Sequence, residues 1–258
     1  MELKLTKAHL FYVFILYLIN FFIFHNAEAF TFDNIEVFTT DKLNPIVIIN
    51  KNKLEGISGE FLAESTKNQV KNLNLNVLPW PRAQSELQKV KNSLILPLSR
   101  TKDREIKYKW VSKVFDDPVC VFTSRPDIIV KTKEDLKKLK SIGIIRSGSE
   151  AEHLKDYPLE DSIDLNELAV KLNLHKVDAV VSGYSVTSYN WKMNNFDPSI
   201  LKCALIVSIN QQYIAASLTS DDNFVSTLAK TMEKYKTTVE YKSLLKKYNV
   251  SSENKNTK

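Results

Sequence analysis

One stretch of this sequence, residues 78–126, constrains the fold more than any other because it combines three features in a fixed order. Pro81 follows Trp80, a position typical of the first turn of a helix. Residues 94–98 form a short apolar run, typical of a buried strand, which leads into a turn rich in hydroxyl and basic side chains. A Phe-Asp-Asp-Pro break then precedes a second apolar run. This order predicts a helix, a strand, an anion-binding turn and a passage from one lobe to another.

Strand patterns alternate with helical patterns along most of the chain. Leu73, Leu75 and Val77 alternate with polar residues, which is the period of a strand, whereas residues 223–236 repeat apolar side chains at helical spacing. Further helices are predicted over residues 60–73, 133–140, 150–155, 166–176, 184–193 and 239–248, and further strands over residues 35–38 and 142–145. Thr132 and Asp135 have the spacing of a capping box at the start of the helix predicted at 133–140. Strands that alternate with helices favour an α/β fold with parallel sheets. The length exceeds the usual domain of about 100–150 residues, which favours two lobes.

The first 29 residues have the three-part layout of a secretory signal. Two lysines precede an apolar run over residues 10–24, and residues 27–29 have the small-x-small pattern of a cleavage site. The run is shorter than the roughly 20 residues that span a bilayer as a helix. We therefore expect residues 1–29 to be a cleaved signal peptide and the protein to reach the periplasm. An uncleaved membrane anchor is the alternative.

Charge and composition narrow the classes of function. Lys and Arg outnumber Asp and Glu by 36 to 30, a net charge of +6, but the lysines are scattered among acidic residues. The sequence contains no long basic block and no basic–aromatic motif, so we expect no nucleic-acid binding. It also lacks Cys-x-x-Cys pairs and His clusters, so we expect neither a metal site nor a cofactor.

The two cysteines, Cys120 and Cys203, leave two interpretations open. In an oxidising compartment they would form a disulfide. Each also lies in an apolar run, where a free thiol packs as a small hydrophobic group. Sequence does not decide between them, because the bond requires close Cα atoms.

Two strand-to-helix turns carry chemistry suited to binding an anion. The first is Ser99-Arg100-Thr101-x-x-Arg104 and the second is Arg146-Ser147-Gly148-Ser149. Backbone amides at a helix start attract anions, and a guanidinium grips a carboxylate through two parallel hydrogen bonds. Because parallel sheets bind ligands beyond the carboxyl ends of their strands, we expect the two turns to face each other across a cleft.

The chain resembles the bacterial extracellular solute-binding proteins of family 3, the polar amino acid ABC transporter type, over nearly all of the sequence after the signal. The matching segments keep that family's order and spacing. They are Gly56-x-x-Gly59, Pro79-Trp80-Pro81-Arg82-Ala83, Ser99-x-Thr101-x-x-Arg104-Glu105, Phe115-x-x-Pro118, Asp135-Leu136, Ile142-Gly143-Ile144, Val177-Asp178-Ala179 and Tyr213-Ile214-Ala215. The resemblance implies a type II periplasmic binding protein fold, in which two lobes, each a central sheet flanked by helices, are joined by two crossover strands.

The resemblance also implies how the chain is divided and what it does. Residues 30–116 and 214–250 are expected to form lobe I, residues 117–213 lobe II, and residues 251–258 a disordered tail. Ligand binding is expected to close the lobes by a hinge motion. The implied function is capture of a small polar metabolite, carboxylate-bearing and either an amino acid or a related compound, by a monomer that delivers it to the permease of an ABC transporter.

Matching the family's motif gives roles to individual residues. Arg104 is expected to grip the ligand carboxylate and Ser99 to contact the ligand. The loop Ser147-Gly148-Ser149 is expected to reach the same carboxylate from lobe II. The expected ligand-binding set is completed by Trp80, Arg82, Arg146 and Gly183.

Structural roles compete with these assignments. Arg104 would instead form a surface ion pair with Asp103 or Glu105. Arg82 would instead stack on Trp80 as a cation–π pair. Each alternative leaves the side chain with a partner of its own and no part in ligand binding.

One departure from the family pattern bears on the ligand. Amino-acid binders of this family usually carry an acid a few residues after the Asp178-Ala179 pair, and it binds the ligand's ammonium group; here Gly183 stands in its place. An unpaired ammonium in a closed cleft is costly. A carboxylate without an amino group is therefore as good a candidate as an α-amino acid, unless Glu150 replaces the missing acid.

Two other functions stay open. An enzyme on the same scaffold would resemble the cyclohexadienyl dehydratases, which use cleft carboxylates; the acids available here are Asp41, Asp117 and Glu150. No nucleophile–base pair is evident from spacing, so we expect no enzymatic activity. The third candidate is a protein that presents its ligand to a separate sensor receptor.

Overall fold

The structure is a computed structural model that describes residues 32–51, 53–146, 154 and 156–250. The expected signal peptide, the expected tail, nearly all of the helix predicted at 150–155 and the predicted site residues Ser147, Gly148 and Ser149 lie outside the described residues.

The described residues form strands and helices in alternation. The strands are β1 (Phe32–Thr39), β2 (Ile48–Asn50), β3 (Lys53–Glu55), β4 (Val70–Val77), β5 (Leu94–Ser99), β6 (Tyr108–Thr123), β7 (Ile142–Ile145), β8 (Leu159–Ser162), β9 (Ala179–Gly183) and β10 (Lys202–Ser217). The helices are α1 (Ile57–Thr66), α2 (Trp80–Leu87), α3 (Leu165–Asn173), α4 (Tyr184–Met193), α5 (Asp222–Lys236) and α6 (Val239–Lys247), with 3₁₀ turns at Lys102–Arg104 and Lys133–Lys138.

Eight strands form one mixed sheet in the order β4-β1-β5-β10-β6-β9-β7-β8. Strands β4, β1 and β5 run parallel to one another, as do β9, β7 and β8. Between these groups, β10 and β6 pair antiparallel with each other and with their outer neighbours β5 and β9. We call β4, β1, β5 and their helices the first half, β9, β7, β8 and theirs the second half, and β6 with β10 the ribbon.

The ribbon connects the halves because its two strands are 16 residues long and contact different neighbours at their two ends. Residues 212–216 of β10 pair with β5, whereas residues 119–122 of β6 pair with β9. Between these contacts Asn210 lies opposite Asp117. The chain therefore passes from one half to the other only through the middle of the ribbon within the described residues.

Each half has a core on both faces of its sheet. In α5, Phe224, Leu228 and Met232 recur at helical spacing and pack with α1, α6 and one face of the first half. Ala83 and Leu87 of α2 cover its other face. In the second half, one cluster contains residues 136–144 and the other contains side chains of α3 and α4.

A disulfide joins Cys120 of β6 to Cys203 of β10, with Cα atoms 5.4 Å apart. The sequence left a disulfide and two free thiols open, and the structure contains the disulfide. The bond lies at the end of the ribbon that pairs with the second half.

Several sequence predictions are confirmed and several are wrong. The strands at β1, β5 and β7 and the helices α4, α5 and α6 are confirmed. The expected parallel pairing is confirmed in both halves, and the ribbon adds antiparallel pairing on both sides, which the alternation of strands and helices did not indicate. The helix predicted at 60–73 ends at Thr66, since the alternating pattern that follows pairs as strand β4 beside β1.

The helix predicted at 133–140 is a 3₁₀ turn at Lys133–Lys138, although its predicted capping box is present: Thr132 and Asp135 exchange hydrogen bonds. Strand β8 was not predicted, because its four residues carry no clear alternation. Among the described residues, the structure contains no helix of the length and apolarity that a bilayer crossing requires.

Candidate functional site

A cleft of about 760 Å³ lies between the two halves, within the usual size of a small-molecule site. The first half contributes the loop after β1, the start of α2 and the end of β5. The second half contributes the ends of β7 and β9 and the starts of α3 and α4, and the ribbon supplies Asp117, Asn210 and Gln212. Strand ends and helix starts therefore surround the space, as expected for an α/β binding site.

Arg104 lines this cleft from the first half. Its Nη1 donates a hydrogen bond to the carbonyl oxygen of Ser99, 3.0 Å away, which fixes the guanidinium over the end of β5. Among the described residues, no carboxylate lies within ion-pair distance of Arg104. A partly buried cation without a carboxylate partner, facing a cavity, is suited to binding an anionic ligand.

The alternative partners of Arg104 are engaged elsewhere. Both carboxylate oxygens of Glu105 accept from Arg100, at 2.7 and 3.0 Å, and the Arg100 hydrogen bond holds the pKa of Glu105 below its usual value. Asp103 accepts from the hydroxyl of Thr101, which lowers its pKa, and the charges of Arg104 and Lys107 add to that effect, but Asp103 and Arg104 do not come within ion-pair distance. The surface ion pair that the sequence left open for Arg104 is therefore not formed.

Arg100 differs from Arg104 although both belong to the same turn. Its guanidinium lies 5.1 Å from the ring centroid of Trp110 and 5.2 Å from that of Tyr213, in addition to its pairing with Glu105. It does not line the cleft. Arg100 is thus fully used in holding the turn against the ribbon.

Ser99 also lines the cleft. Its hydroxyl accepts a hydrogen bond of 3.3 Å from Nε2 of Gln212, a buried ribbon residue that faces the same space. Because a hydroxyl both accepts and donates, Ser99 retains a donor for a ligand oxygen next to Arg104.

Trp80 and Arg82, both expected at the site, are placed differently. Trp80 lines the cleft while it packs against the core that contains Ala83 and Leu87. Arg82 is exposed and does not line the cleft, because α2 turns its apolar face inward and Arg82 lies on the other face. The cation–π contacts among the described residues involve Arg100 and Lys247, so Arg82 does not stack on Trp80 either.

Arg146 lies at the cleft edge of the second half. Its Nε is 3.4 Å from a carboxylate oxygen of Asp161 in β8, and its side chain is 62% exposed. The adjacent Ser147, Gly148 and Ser149 lie outside the described residues. Arg146 therefore differs from Arg104 in having a carboxylate partner.

Gly183 lines the cleft at the end of β9, next to Asp117 of the ribbon. A Cβ built on Gly183 would collide with Oδ2 of Asp117. Oδ1 of the same carboxylate accepts from the backbone N and the hydroxyl of Ser185, at 3.0 and 2.8 Å. Asp117 is 2% exposed, so its carboxyl group is buried where the cleft meets the ribbon.

Sequence reasoning missed several cleft residues. Asp164 lines the cleft and caps α3, since its carboxylate accepts from the amides of Asn166 and Glu167. An acid just before an apolar helical run is a signal that could have identified this cap. Lys42, Asn210 and Gln212 lacked any such signal, because only the folded topology brings them to the cleft.

The cleft-lining charges among the described residues are three acids and three bases: Asp41, Asp117 and Asp164, with Lys42, Arg104 and Arg146. No cluster of three or more metal-ligating side chains occurs in the part of the chain that the structure describes. Polar binding of a ligand that carries both signs of charge is the chemistry that this balance favours.

Neither a protein-family model nor a curated protein sequence matches the chain. Solved structures with the same fold do match. An amino acid ABC transporter substrate-binding protein, AbpA from Streptococcus pneumoniae bound to L-arginine, is 16% identical with a TM-score of 0.68; the match covers 83% of this chain and 94% of that one.

Two further structures are similar. A histidine kinase sensor domain with similarity to periplasmic binding proteins is 17% identical, with a TM-score of 0.71 over 84% of this chain and 96% of that one. The ancestral amino acid-binding protein AncCDT-1, a precursor of cyclohexadienyl dehydratase, is 17% identical, with a TM-score of 0.67 over 83% and 95%. These likenesses agree with the family resemblance in the sequence, and the chain has the two-lobed α/β fold of the periplasmic solute-binding proteins.

Proposed function

We propose that this chain is an exported solute-binding protein that captures a small polar, carboxylate-bearing metabolite in the cleft and delivers it to an ABC transporter. The single observation that carries this proposal is Arg104, which faces the cleft, is anchored by the carbonyl of Ser99 and has no carboxylate partner among the described residues. A partly buried guanidinium in such a position is suited to bidentate binding of a carboxylate.

The surroundings of Arg104 support the same reading. Ser99 supplies a hydroxyl beside the guanidinium, and Gln212 orients it. Trp80 supplies an aromatic surface on the same side of the cleft. Small-molecule sites combine apolar and aromatic surface with placed polar groups, as Trp80 does here with Arg104 and Ser99.

The proposal assigns residues 30–116 and 214–250 to lobe I and residues 117–213 to lobe II. The crossing point would then lie in the middle of the ribbon, where Asp117 and Asn210 face each other. Rotation of the lobes about this point would close the cleft around a ligand and exclude water. The chain would work as a monomer, since both walls of the cleft belong to one chain.

Periplasmic location and a permease partner are parts of the proposal that the neighbours make plausible. AbpA is described as a substrate-binding protein of an amino acid ABC transporter. The signal-like first 29 residues support export.

The proposal is tested by native mass spectrometry of the purified protein, followed by thermal-shift screening of carboxylate-bearing metabolites. A retained solute or a concentration-dependent rise in Tm is expected, because a ligand that binds only the folded state stabilises it by mass action. The same ligand at the same concentration should give a clearly smaller rise in Tm with Arg104→Ala. Failure of every carboxylate to bind the wild-type protein would overturn the proposal.

An enzyme on this scaffold is the second candidate, and the acids that line the cleft are the observation that favours it. AncCDT-1 is described as a precursor of cyclohexadienyl dehydratase. Incubation with prephenate or arogenate separates the two functions, since turnover would show an enzyme and binding without turnover a transport protein. A sensor-presenting role would be shown by binding to a receptor domain instead of a permease.

A further inference from the structure

The second half has an edge that lies away from the cleft, where strands β6, β7, β9 and β10 begin or end. Strands β7 and β9 line the cleft with their carboxyl ends, so both begin at the opposite edge. Strand β6 runs antiparallel to β9 and ends at this edge, where Thr123 pairs with Lys202, the first residue of β10. We call this edge, with the flanking segments 124–141 and 174–178, the distal end.

The fold gathers at the distal end basic residues that are far apart in the sequence. Asp178 accepts a hydrogen bond of 2.6 Å from the backbone amide of Lys140 and lies 3.3 Å from a guanidinium nitrogen of Arg125, so both flanking segments meet there. Exposed lysines without an ion-pair partner among the described residues are concentrated at this end: Lys131, Lys133, Lys137, Lys140, Lys176 and Lys202.

The acids of the distal end do not cancel this charge, because most of them already have partners. Asp127 and Asp178 both pair with Arg125. Asp135 pairs with Lys138. Two exposed acids remain in the flanking segments and just before β8, Glu134 and Asp156. The unpaired lysines outnumber these acids, so the distal end presents an excess of positive charge to solvent.

Two aliphatic side chains protrude from the same end. Ile129 is 66% exposed and Leu174 is 59% exposed. The hydroxyl of Ser124 donates to the carbonyl oxygen of Leu172, 2.8 Å away, which joins the segment that carries Ile129 to the end of α3, where Leu174 lies. Lysines next to exposed apolar side chains are the combination that binds proteins to the interface of an anionic bilayer.

The equivalent end of the first half lacks this excess of charge. Lys91, just before β5, pairs with Asp221 at 2.8 Å, and Lys109, at the start of β6, pairs with Asp222 at 2.6 Å. The cations of that end are therefore balanced by acids beside them. The unpaired lysines of the distal end are thus a local property of the second half, and the overall lysine content of the chain does not account for them.

A lipid surface fits the distal end better than a protein partner does. Lysine is depleted in protein–protein interfaces, whereas aromatic side chains are enriched there. The large apolar side chains exposed at this end, Ile129 and Leu174, are both aliphatic. Anionic lipid attracts each lysine near its surface and demands no complementary shape.

We propose that the distal end of the second half docks on an anionic lipid bilayer, with its unpaired lysines at the lipid phosphates and with Ile129 and Leu174 in the interface. The cleft lies at the other ends of β7 and β9, so docking leaves it open to solvent. This interaction holds the protein at a membrane surface with or without a ligand. It goes beyond the proposed function and does not depend on it.

Cosedimentation with lipid vesicles tests the proposal. The exported protein is purified and incubated with vesicles of phosphatidylcholine alone, or of phosphatidylcholine and phosphatidylglycerol in equal amounts, at physiological ionic strength. We expect binding to the mixed vesicles to be at least about tenfold tighter than to the neutral ones, because each lysine near the surface adds to the attraction. Added salt should weaken this binding, since it screens exposed charges.

Two variants with the same change in net charge assign the binding to one surface. The distal variant replaces three unpaired lysines: Lys133→Gln, Lys137→Gln and Lys140→Gln. The control variant replaces three exposed lysines of α5 and α6 in the first half: Lys230→Gln, Lys234→Gln and Lys242→Gln. The distal variant should bind the mixed vesicles at least about tenfold more weakly than the wild type, and the control variant less than about threefold more weakly.

A second pair of variants tests the apolar contribution. Ile129→Gln combined with Leu174→Gln should weaken binding to the mixed vesicles by at least about threefold, because polar side chains gain nothing from entering the interface. Ile106→Gln replaces a side chain of the first half that is 82% exposed, and it should leave vesicle binding unchanged.

Each outcome supports or overturns the proposal. Equal binding of the wild type to both kinds of vesicle, or no binding to the mixed vesicles, overturns it. A distal variant that binds as tightly as the control variant places the interaction on another surface and also overturns it. All the replaced side chains are exposed, so Tm should stay close to that of the wild type; if a variant does not fold, the wild-type comparison still decides.

The replaced residues do not line the cleft, so every variant should keep the ligand affinity of the wild type. Failure of vesicle binding therefore leaves the proposed function standing, and failure of ligand binding leaves the docking proposal standing.

Discussion

The two halves of the molecule place an arginine at equivalent positions of the cleft, but the two arginines differ in their partners and their burial. Each has an arginine just beyond the end of a parallel strand, Arg104 after β5 and Arg146 after β7. Arg146 has Asp161 of the adjacent strand β8 as a partner and is mostly exposed. Arg104 has no carboxylate partner among the described residues and is partly buried. An identical type of residue at an equivalent point therefore forms a surface ion pair in the second half and lacks a carboxylate partner in the first, where we propose that it binds the ligand.

The halves also differ in what holds them together. The first half is closed by α5 and α6, whose side chains complete its core, and Lys247 and Tyr248 reach back to Glu60 on α1. At the end of the ribbon that pairs with the second half, the Cys120–Cys203 disulfide joins the two ribbon strands. We infer that noncovalent packing secures the first half, while a covalent bond contributes strongly to the second.

The largest expected effect tests this contrast. Replacing both cysteines, as Cys120→Ser with Cys203→Ser, should lower the free energy of unfolding by about 2–4 kcal/mol, because the bond closes a long loop whose freedom returns in the unfolded chain. Chemical denaturation with and without a reductant measures the loss, and hydrogen exchange should show it mainly in β7–β9. Equal loss of protection from hydrogen exchange in both halves would contradict the inference that the disulfide stabilises mainly the second half.

The next effect is on binding. Arg104→Ala should weaken a carboxylate ligand by tenfold or more, in line with about 1.5–3 kcal/mol for a charged hydrogen bond. Calorimetric titration measures this, with Arg82→Ala as the matched control that removes an arginine from the outer face of α2. Unchanged affinity in Arg104→Ala would remove this residue from the site.

Arg146→Ala tests the arginine of the second half in the same way as Arg104→Ala tests that of the first. Because its guanidinium is 62% exposed and paired with Asp161, its loss should change affinity by less than about fivefold, corresponding to about 1 kcal/mol or less. The same titration as for Arg104 measures it. A loss as large as that of Arg104→Ala would show that both halves grip the carboxylate.

The smallest expected effect concerns the contact of Lys247 and Tyr248 with Glu60 in the first half. Burial opposes ionisation of Glu60, but hydrogen bonds from Lys247 and Tyr248 outweigh it, so the pKa of Glu60 lies below its ordinary value of 4.5. The charged form of Glu60 therefore stabilises the folded protein. This stabilisation is fully present at pH values above the ordinary pKa of 4.5 and is lost as pH falls through the lowered pKa of the folded state. Glu60→Gln should therefore cost about 0.2–1 kcal/mol near pH 7, and the difference from wild type should shrink in acid.

Thermal unfolding between pH 3 and pH 7 would reveal this convergence. A constant difference across that range would show that Glu60 acts through packing and not through charge.

How far the sequence predicts this molecule depends on whether a feature is local. Periodicity predicted β1, β5, β7, α4 and α5, and the Ser99–Arg104 spacing indicated the turn that faces the cleft. These features depend on residues close together in the chain.

What the sequence could not predict depends on pairing between distant segments. The partner of Arg146 is Asp161 on β8, a short strand with no clear alternation of polar and apolar residues. The sequence therefore did not predict their ion pair. The meeting of Asp117 with Gly183 follows from the antiparallel pairing of β6 with β9, which no local pattern encodes.

The central claim is that Arg104 binds the ligand carboxylate inside the cleft. A crystal structure of the protein with the solute identified by native mass spectrometry tests it most directly. The account predicts the carboxylate in hydrogen-bonding contact with the Arg104 guanidinium, with the hydroxyl of Ser99 beside it and both halves closed around the ligand. A ligand bound outside the cleft, or one in the cleft whose carboxylate contacts other groups while Arg104 faces solvent, would contradict it.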